Sequence, residues 1–184
     1  LLLAPFGLAT AWLLGRMSGW RALLWAIGPP LILYAFHNWE LPVVLCATAA
    51  FYVVHHGWGR RGADRPLITR ATVAAVLLGL GFAFKVYPAI FALPLMLYVL
   101  TGGRDGAELG DRRRPDWRGA LRVAVVSLGT AVVVNVPFVI AGFEGWRASF
   151  TFQLLRKADI TTNSIWFWGF RPDSDPDNAP VQEL

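Results

Sequence analysis

Apolar segments alternate along the chain with short polar clusters, and this alternation has the length scale of membrane-spanning helices. Within residues 1–59, Arg16, Arg21 and Glu40 are the ionisable residues apart from histidines. A helix needs about 20 apolar residues to cross a bilayer. The pattern gives six segments: Leu1–Leu14, Ala22–Phe36, Leu41–Trp58, Ala71–Phe84, Val86–Leu100 and Val123–Phe143. It predicts an all-α fold, a polytopic transmembrane helical bundle with short and broken helices.

Composition supports a membrane protein and argues against the other classes that the net charge could suggest. The chain is 55% hydrophobic and 16% charged, whereas a soluble domain carries about 25% charged residues. Its net charge of +5 could indicate nucleic-acid binding, but the arginines cluster between apolar segments, which is typical of membrane topology. The single cysteine, Cys46, excludes a disulfide framework. We expect no metal, no cofactor and no nucleic-acid partner.

The basic residues predict the orientation of the segments, because connections rich in Lys and Arg stay in the cytoplasm. The connection His37–Glu40 has no Lys or Arg and is predicted to lie outside. Residues 1–143 are then expected to be the transmembrane region, with its first segment truncated, and residues 144–184 an extracytoplasmic segment. The predicted cytoplasmic connections carry Arg16 and Arg21; Arg60, Arg61, Arg65 and Arg70; and Arg104, Arg112, Arg113, Arg114, Arg118 and Arg122.

The apolar stretch Ala71–Leu100 is predicted to be a hairpin of two short helices. As one helix it would be roughly 45 Å long at 1.5 Å per residue, against a hydrocarbon core of about 30 Å. A single crossing would also place the six-arginine connection outside. Pro88 lacks an amide proton and biases Tyr87 away from helical angles. We therefore predict that the chain turns at Lys85–Pro88, in a water-filled recess near the outer surface.

Lys85 is the leading candidate for a functional residue. It is the only acid or base within the thirty residues of that stretch, and an ionisable group inside a membrane segment is a functional candidate by default. One interpretation is an ammonium that binds an anion, most naturally a phosphate, with Tyr87 as a hydrogen-bond donor. The other is a lysine near a helix end that reaches the interface, with Tyr87 as an interfacial anchor.

Two further clusters are candidates for substrate binding. His37 and Glu40 could contact a substrate that arrives from outside, or Glu40 could simply offset the dipole of the helix that it begins. Residues 144–158 predict a helix lying in the outer interface, and the aromatic loop that follows could stack on a sugar or lipid or insert into the membrane interface. The candidates in this loop are Asn163, Ser164, Trp166 and Trp168.

Gly79-Leu80-Gly81 could be mistaken for a nucleotide-binding loop. No strand is predicted before it, and a phosphate-binding loop of that type needs one. Glycines in membrane helices commonly allow two helices to approach closely. We therefore predict a helix-packing role for this pair of glycines.

Three parts of the sequence together resemble bacterial glycosyltransferase family 87, over roughly Arg21–Phe143. They are Asn38-Trp39-Glu40-Leu41, the Arg-rich connection, and Gly79-Leu80-Gly81-Phe82-Ala83-Phe84-Lys85-Val86-Tyr87-Pro88. The resemblance implies the C-type glycosyltransferase superfold and an activity like that of the mannosyl- and arabinosyltransferases. It also implies a polyprenyl-phosphate sugar as donor and a reaction on the outer face of the membrane. Lys85, in the Lys-x-Tyr-Pro run, would bind the donor phosphate.

The resemblance also implies a catalytic base in the first outer loop, upstream of Leu1, and it does not assign this role to Glu40. We therefore expect part of a multi-pass glycosyltransferase of the bacterial inner membrane that moves a mannose- or arabinose-like sugar to a lipid-linked or cell-envelope glycan. Two alternatives stay open. One is a transporter or lipid flippase in which Lys85 lines the substrate pathway, and the other is a structural subunit without a substrate.

Overall fold

The computed structural model describes residues 2–28, 40–56, 66–103 and 115–155, with side chains described as far as residue 152. These residues are 89% helical and contain no strand, so the all-α prediction is confirmed for them. The helices, in chain order, are α1 (Ala4–Ser18), α2 (Leu23–Ala26), α3 (Glu40–His56), α4 (Leu67–Phe84), α5 (Ala92–Leu100), α6 (Trp117–Ala141) and α7 (Phe143–Leu155). Two 3-10 turns, Gly19–Ala22 and Tyr87–Phe91, precede α2 and α5.

Two helices begin earlier than the apolar pattern predicts. Helix α6 begins at Trp117 because the carboxylate of Asp116 accepts a hydrogen bond of 2.8 Å from the Gly119 amide, which is the arrangement of a helix N-cap. Helix α4 begins directly after Pro66. The placement of four arginines in connections was wrong, since they lie within helices. Arg70 lies in the first turn of α4, Arg118 and Arg122 lie in the first two turns of α6, and Arg16 lies in the last turn of α1.

Helices α3 and α4 run antiparallel, whereas α1 and α3 run parallel. The guanidinium of Arg70, at the start of α4, donates to the carbonyl of Val54 near the end of α3. In α1, Gly7 lies against Leu41 at the start of α3, and the Trp12 ring lies 6.3 Å from the Tyr52 ring further along both helices. These directions agree with the predicted alternation of the first, third and fourth segments.

The predicted hairpin is present. Helix α4 ends at Phe84, and Lys85 adopts extended angles of φ −153° and ψ 148°. At the turn, a Cβ atom on Gly81 would lie 3.2 Å from the Cβ atom of Pro88. At the other end, a Cβ atom on Gly103 would lie 2.8 Å from the Cδ2 atom of Leu67. The chain that leaves α4 therefore returns along α4 to its beginning.

The core lies among α3, α4, α5 and the first half of α6, and it is built largely from small side chains. At the crossing of α4 and α6, a Cβ atom on Gly79 would lie 2.4 Å from the carbonyl oxygen of Ser127. This confirms the helix-packing role predicted for the glycine pair at Gly79. The buried core residues are Ala50, Val54, Ala71, Ala74, Ala75, Leu78, Leu95, Val99 and Val123.

Two of the described helices are long and apolar enough to cross a membrane. Helix α4 has 18 residues with a mean hydropathy of 1.9, and α6 has 25 residues that include an 18-residue stretch with a mean hydropathy of 2.3. Only 17% of this 18-residue stretch of α6 is buried. Many of its exposed side chains are large and apolar, an unusual surface for a soluble protein: Leu121, Val125, Leu128, Val132, Val133, Phe138 and Ile140. These features indicate a membrane-associated protein.

The chain divides into two compact units between Val136 and Pro137, inside α6 and before the boundary at residue 143 that the sequence suggested. In the second unit, α7 covers most of the predicted interfacial helix. Its aromatic rings form a row, because the Phe143 and Trp146 rings lie 6.0 Å apart and the Trp146 and Phe150 rings 4.8 Å apart. The predicted stacking residues of the following loop lie outside the described residues.

Candidate functional site

A polar cluster of Glu40, Lys85 and Tyr87 lies where the hairpin turns. The ammonium of Lys85 forms an ion pair with the Oε1 atom of Glu40. The hydroxyl of Tyr87 donates a hydrogen bond of 3.2 Å to the Oε2 atom of the same carboxylate. The carboxylate therefore links the first residue of α3 to both sides of the break that follows α4.

Local chain geometry brings these three side chains together. Because α3 and α4 are antiparallel, the beginning of α3 lies beside the end of α4. The extended backbone of Lys85 ends α4, and the 3-10 turn that begins at Tyr87 contains the buried Pro88. Lys85 and Tyr87 therefore reach the same carboxylate from successive positions around the break.

The cluster is half-buried, which leaves it accessible to a ligand. The Lys85 and Glu40 side chains are 30% and 37% exposed. Glu40 occupies the first turn of α3, where the positive end of the helix dipole stabilises a carboxylate. Lysine has three N–H donors, and in the described parts of the chain one bond from this ammonium is recorded, the one to Glu40. An incoming oxygen ligand could use the other donors.

The structure unites three of the residues that the sequence proposed as candidates in two separate clusters. Sequence reasoning treated Lys85 as a lone cation and missed its pairing with Glu40. The available signal was topological, since the predicted alternation put the start of the third segment and the Lys85–Pro88 turn on the same side. The remaining candidates lie outside the described residues: His37, Asn163, Ser164, Trp166 and Trp168.

An apolar cavity of about 190 Å³ lies among α3, α4 and α5, further along these helices than the polar cluster. Its polar groups are those of His55 and Tyr98, whose rings lie 6.1 Å apart. The other lining residues come from α3, α4, α5 and the preceding turn: Ala50, Phe51, Val54, Ala74, Leu78, Phe91, Pro94 and Leu95. The cavity offers space for hydrocarbon and few groups for chemistry.

Metal ligands are not gathered anywhere in the ranges that the structure describes, where no three His, Cys, Asp or Glu side chains cluster. The described chemistry is therefore that of the Glu40–Lys85–Tyr87 cluster, which offers an ammonium, a carboxylate and a phenol. Such groups can bind an anion, donate hydrogen bonds or accept a proton.

No family model, curated protein or solved structure matches this chain. The residues of the site are therefore the basis on which a function can be assigned.

Proposed function

We propose that this chain is part of a polytopic inner-membrane glycosyltransferase with a C-type fold. It transfers a mannose- or arabinose-like sugar from a polyprenyl phosphate to a lipid-linked or cell-envelope glycan at the outer face of the membrane. The observation that carries the proposal is the position of Lys85. It lies at a break between apolar helices, half-exposed, with donors available for a phosphate.

Each group of the cluster has a defined part in this reaction. Lys85 binds a phosphate oxygen of the donor and stabilises the charge that develops on the phosphate as the bond to the sugar breaks. When the phosphate binds, Tyr87 turns its single O–H group away from Glu40 and donates its hydrogen bond to the phosphate instead. A carboxylate from another part of the protein removes the proton of the acceptor hydroxyl, and the oxygen of that hydroxyl forms the new bond to the sugar as the lipid phosphate leaves. The apolar helices accommodate the lipid.

The test is sugar transfer by the full-length protein in membranes, with a radiolabelled polyprenyl-phosphate sugar as donor. Lys85→Met is expected to lower the transfer rate roughly a hundredfold, the effect of losing one group that stabilises transition-state charge. Arg122→Met removes an exposed cation from α6 and serves as the matched control, with transfer unchanged. Full transfer by Lys85→Met, with the control also active, would exclude Lys85 from donor binding.

A transporter or lipid flippase is the second candidate, and the same break in the helices favours it. Interrupted helices with a charged group line substrate pathways in transporters. The two functions differ in their chemistry, because sugar transfer breaks the bond between the sugar and the phosphate, whereas transport breaks no covalent bond. If labelled polyprenyl phosphate crosses the membrane of vesicles that contain the protein, while no sugar reaches any acceptor, the protein is a transporter and the glycosyltransferase proposal is wrong.

A further inference from the structure

The carboxylate of Glu40 engages both of the groups that the proposed function assigns to the donor phosphate. One oxygen is paired with the ammonium of Lys85, and the other accepts a hydrogen bond from the hydroxyl of Tyr87. An incoming phosphate therefore meets an ammonium whose charge is already balanced by a neighbouring carboxylate.

The formal charges of Lys85 and Glu40 sum to zero. Within the described ranges, the ion pair of Lys85 is with Glu40 alone. The partial positive charge at the start of α3 remains. The cluster thus offers hydrogen-bond donors in a weakly positive environment, unlike a site built from an isolated lysine.

This charge balance affects anions of different charge unequally. The attraction of an anion to a site grows in proportion to its charge, whereas the cost of removing it from water grows roughly with the square of that charge. At a strongly positive site the attraction offsets the larger cost for a dianion. At a weakly positive site the attraction is too small to offset the larger cost of removing a dianion from water, and an anion with one charge is favoured.

We propose that Glu40 is a specificity-determining residue that makes this site select a singly charged phosphodiester over a doubly charged phosphate monoester. The inference rests on the proposed function, because it takes Lys85 as the phosphate ligand. A sugar linked to a lipid through one phosphate is a phosphodiester with one negative charge. The lipid phosphate left after transfer carries nearly two charges, since its second pKa is about 6. Glu40 therefore favours binding of the donor and release of the product.

The experiment compares two probes that differ by one methyl group, hexadecyl phosphate and its methyl ester. The full-length protein is placed in vesicles of zwitterionic phosphatidylcholine at about pH 8, where the monoester has lost its second proton. Dissociation constants are measured for both probes. The wild-type protein is expected to bind the methyl ester about tenfold more tightly than hexadecyl phosphate, an order-of-magnitude expectation for a charge a few ångströms away in a partly exposed site.

Glu40→Gln is expected to tighten the binding of hexadecyl phosphate about tenfold and to remove the preference. Glu40→Asp keeps the charge and is expected to keep the preference. Glu144→Gln removes a carboxylate from the first turn of α7 and is the matched control, with both constants unchanged. A wild-type protein that prefers hexadecyl phosphate overturns the inference, whatever the stability of the variants.

The result also distinguishes a failure of this inference from a failure of the proposed function on which it rests. If Lys85→Met binds both probes as tightly as the wild-type protein, Lys85 is not a phosphate ligand and both proposals fail. If binding depends on Lys85 but Glu40→Gln leaves the preference intact, the specificity role of Glu40 is wrong and the phosphate site stands. If Glu40→Gln weakens both probes equally, Glu40 only positions the lysine, which also contradicts the inference.

Discussion

The crossing of α4 and α6 at Gly79 permits a quantitative test of the fold. The substitution is Gly79→Ala, which adds one methyl group where two helices are in contact. Its Cβ atom would lie 2.4 Å from the carbonyl oxygen of Ser127 and 2.7 Å from the Cβ atom of Thr130. Ordinary van der Waals contacts are 3.4–4 Å, so the helices must separate by about 1 Å at this point.

Two opposing effects determine the size of the change. Overpacking of a well-packed contact costs about 1–3 kcal/mol, while replacing glycine by alanine inside a helix gains about 0.5–1 kcal/mol. The obstruction includes backbone, which cannot rotate away as the end of a long side chain can. We therefore expect a net loss of about 1–2 kcal/mol, which corresponds to a melting temperature lower by roughly 2–8 °C for a chain of this size.

The assay is thermal unfolding of the purified protein in detergent, followed by circular dichroism. Gly129→Ala is the matched control, because Gly129 lies in α6 near the same crossing and a Cβ atom there would meet nothing within 4 Å. It is expected to keep or raise the melting temperature. If Gly79→Ala is as stable as this control, α4 and α6 do not cross in contact at Gly79 and the packing described for the core is wrong.

Two further substitutions test other parts of the fold by the same unfolding measurement. Asp116→Ala removes the N-cap of α6 and is expected to cost about 1 kcal/mol, whereas Asp116→Asn keeps an acceptor oxygen and is expected to cost much less; equal losses would show that the cap does not stabilise α6. Leu78→Ala, at a side chain that is 2% exposed beside the cavity, is expected to cost about 2–5 kcal/mol. Leu121→Ala, at a side chain that is 63% exposed, is expected to be nearly neutral, and a loss equal to that of Leu78→Ala would contradict the assigned burial.

The hairpin could be predicted from the sequence because its causes are local. Bilayer thickness limits the length of one crossing, and Pro88 prevents the helix from continuing with regular hydrogen bonds. The starts of α4 and α6 were predicted too late for an equally local reason. The apolar pattern marks the apolar positions of a helix, whereas a helix begins at its cap, and the polar first turns containing Arg70 and Arg118 carry no apolar signal.

The pairing of Glu40 with Lys85 could not be read from the sequence in the same way. The two residues are 45 positions apart, and alternation of the segments specifies only which side of the membrane each turn faces. Which helices are neighbours depends on packing between small residues, such as the contact between Gly81 and Cys46, and many Gly/Ala-rich faces could satisfy the same pattern.

This pairing changes the interpretation of an ionisable residue in a membrane helix. A lone lysine among apolar residues implies that an outside anion is needed to offset its charge. Once Glu40 supplies that charge, the ammonium is stable without a ligand, and its presence alone no longer argues for one. The features that favour a ligand are then the break at Lys85, the partial exposure of the pair and the donors left for a ligand. For this reason the selectivity between a singly and a doubly charged phosphate, rather than the retention of the lysine, is the sharper test of what the site binds.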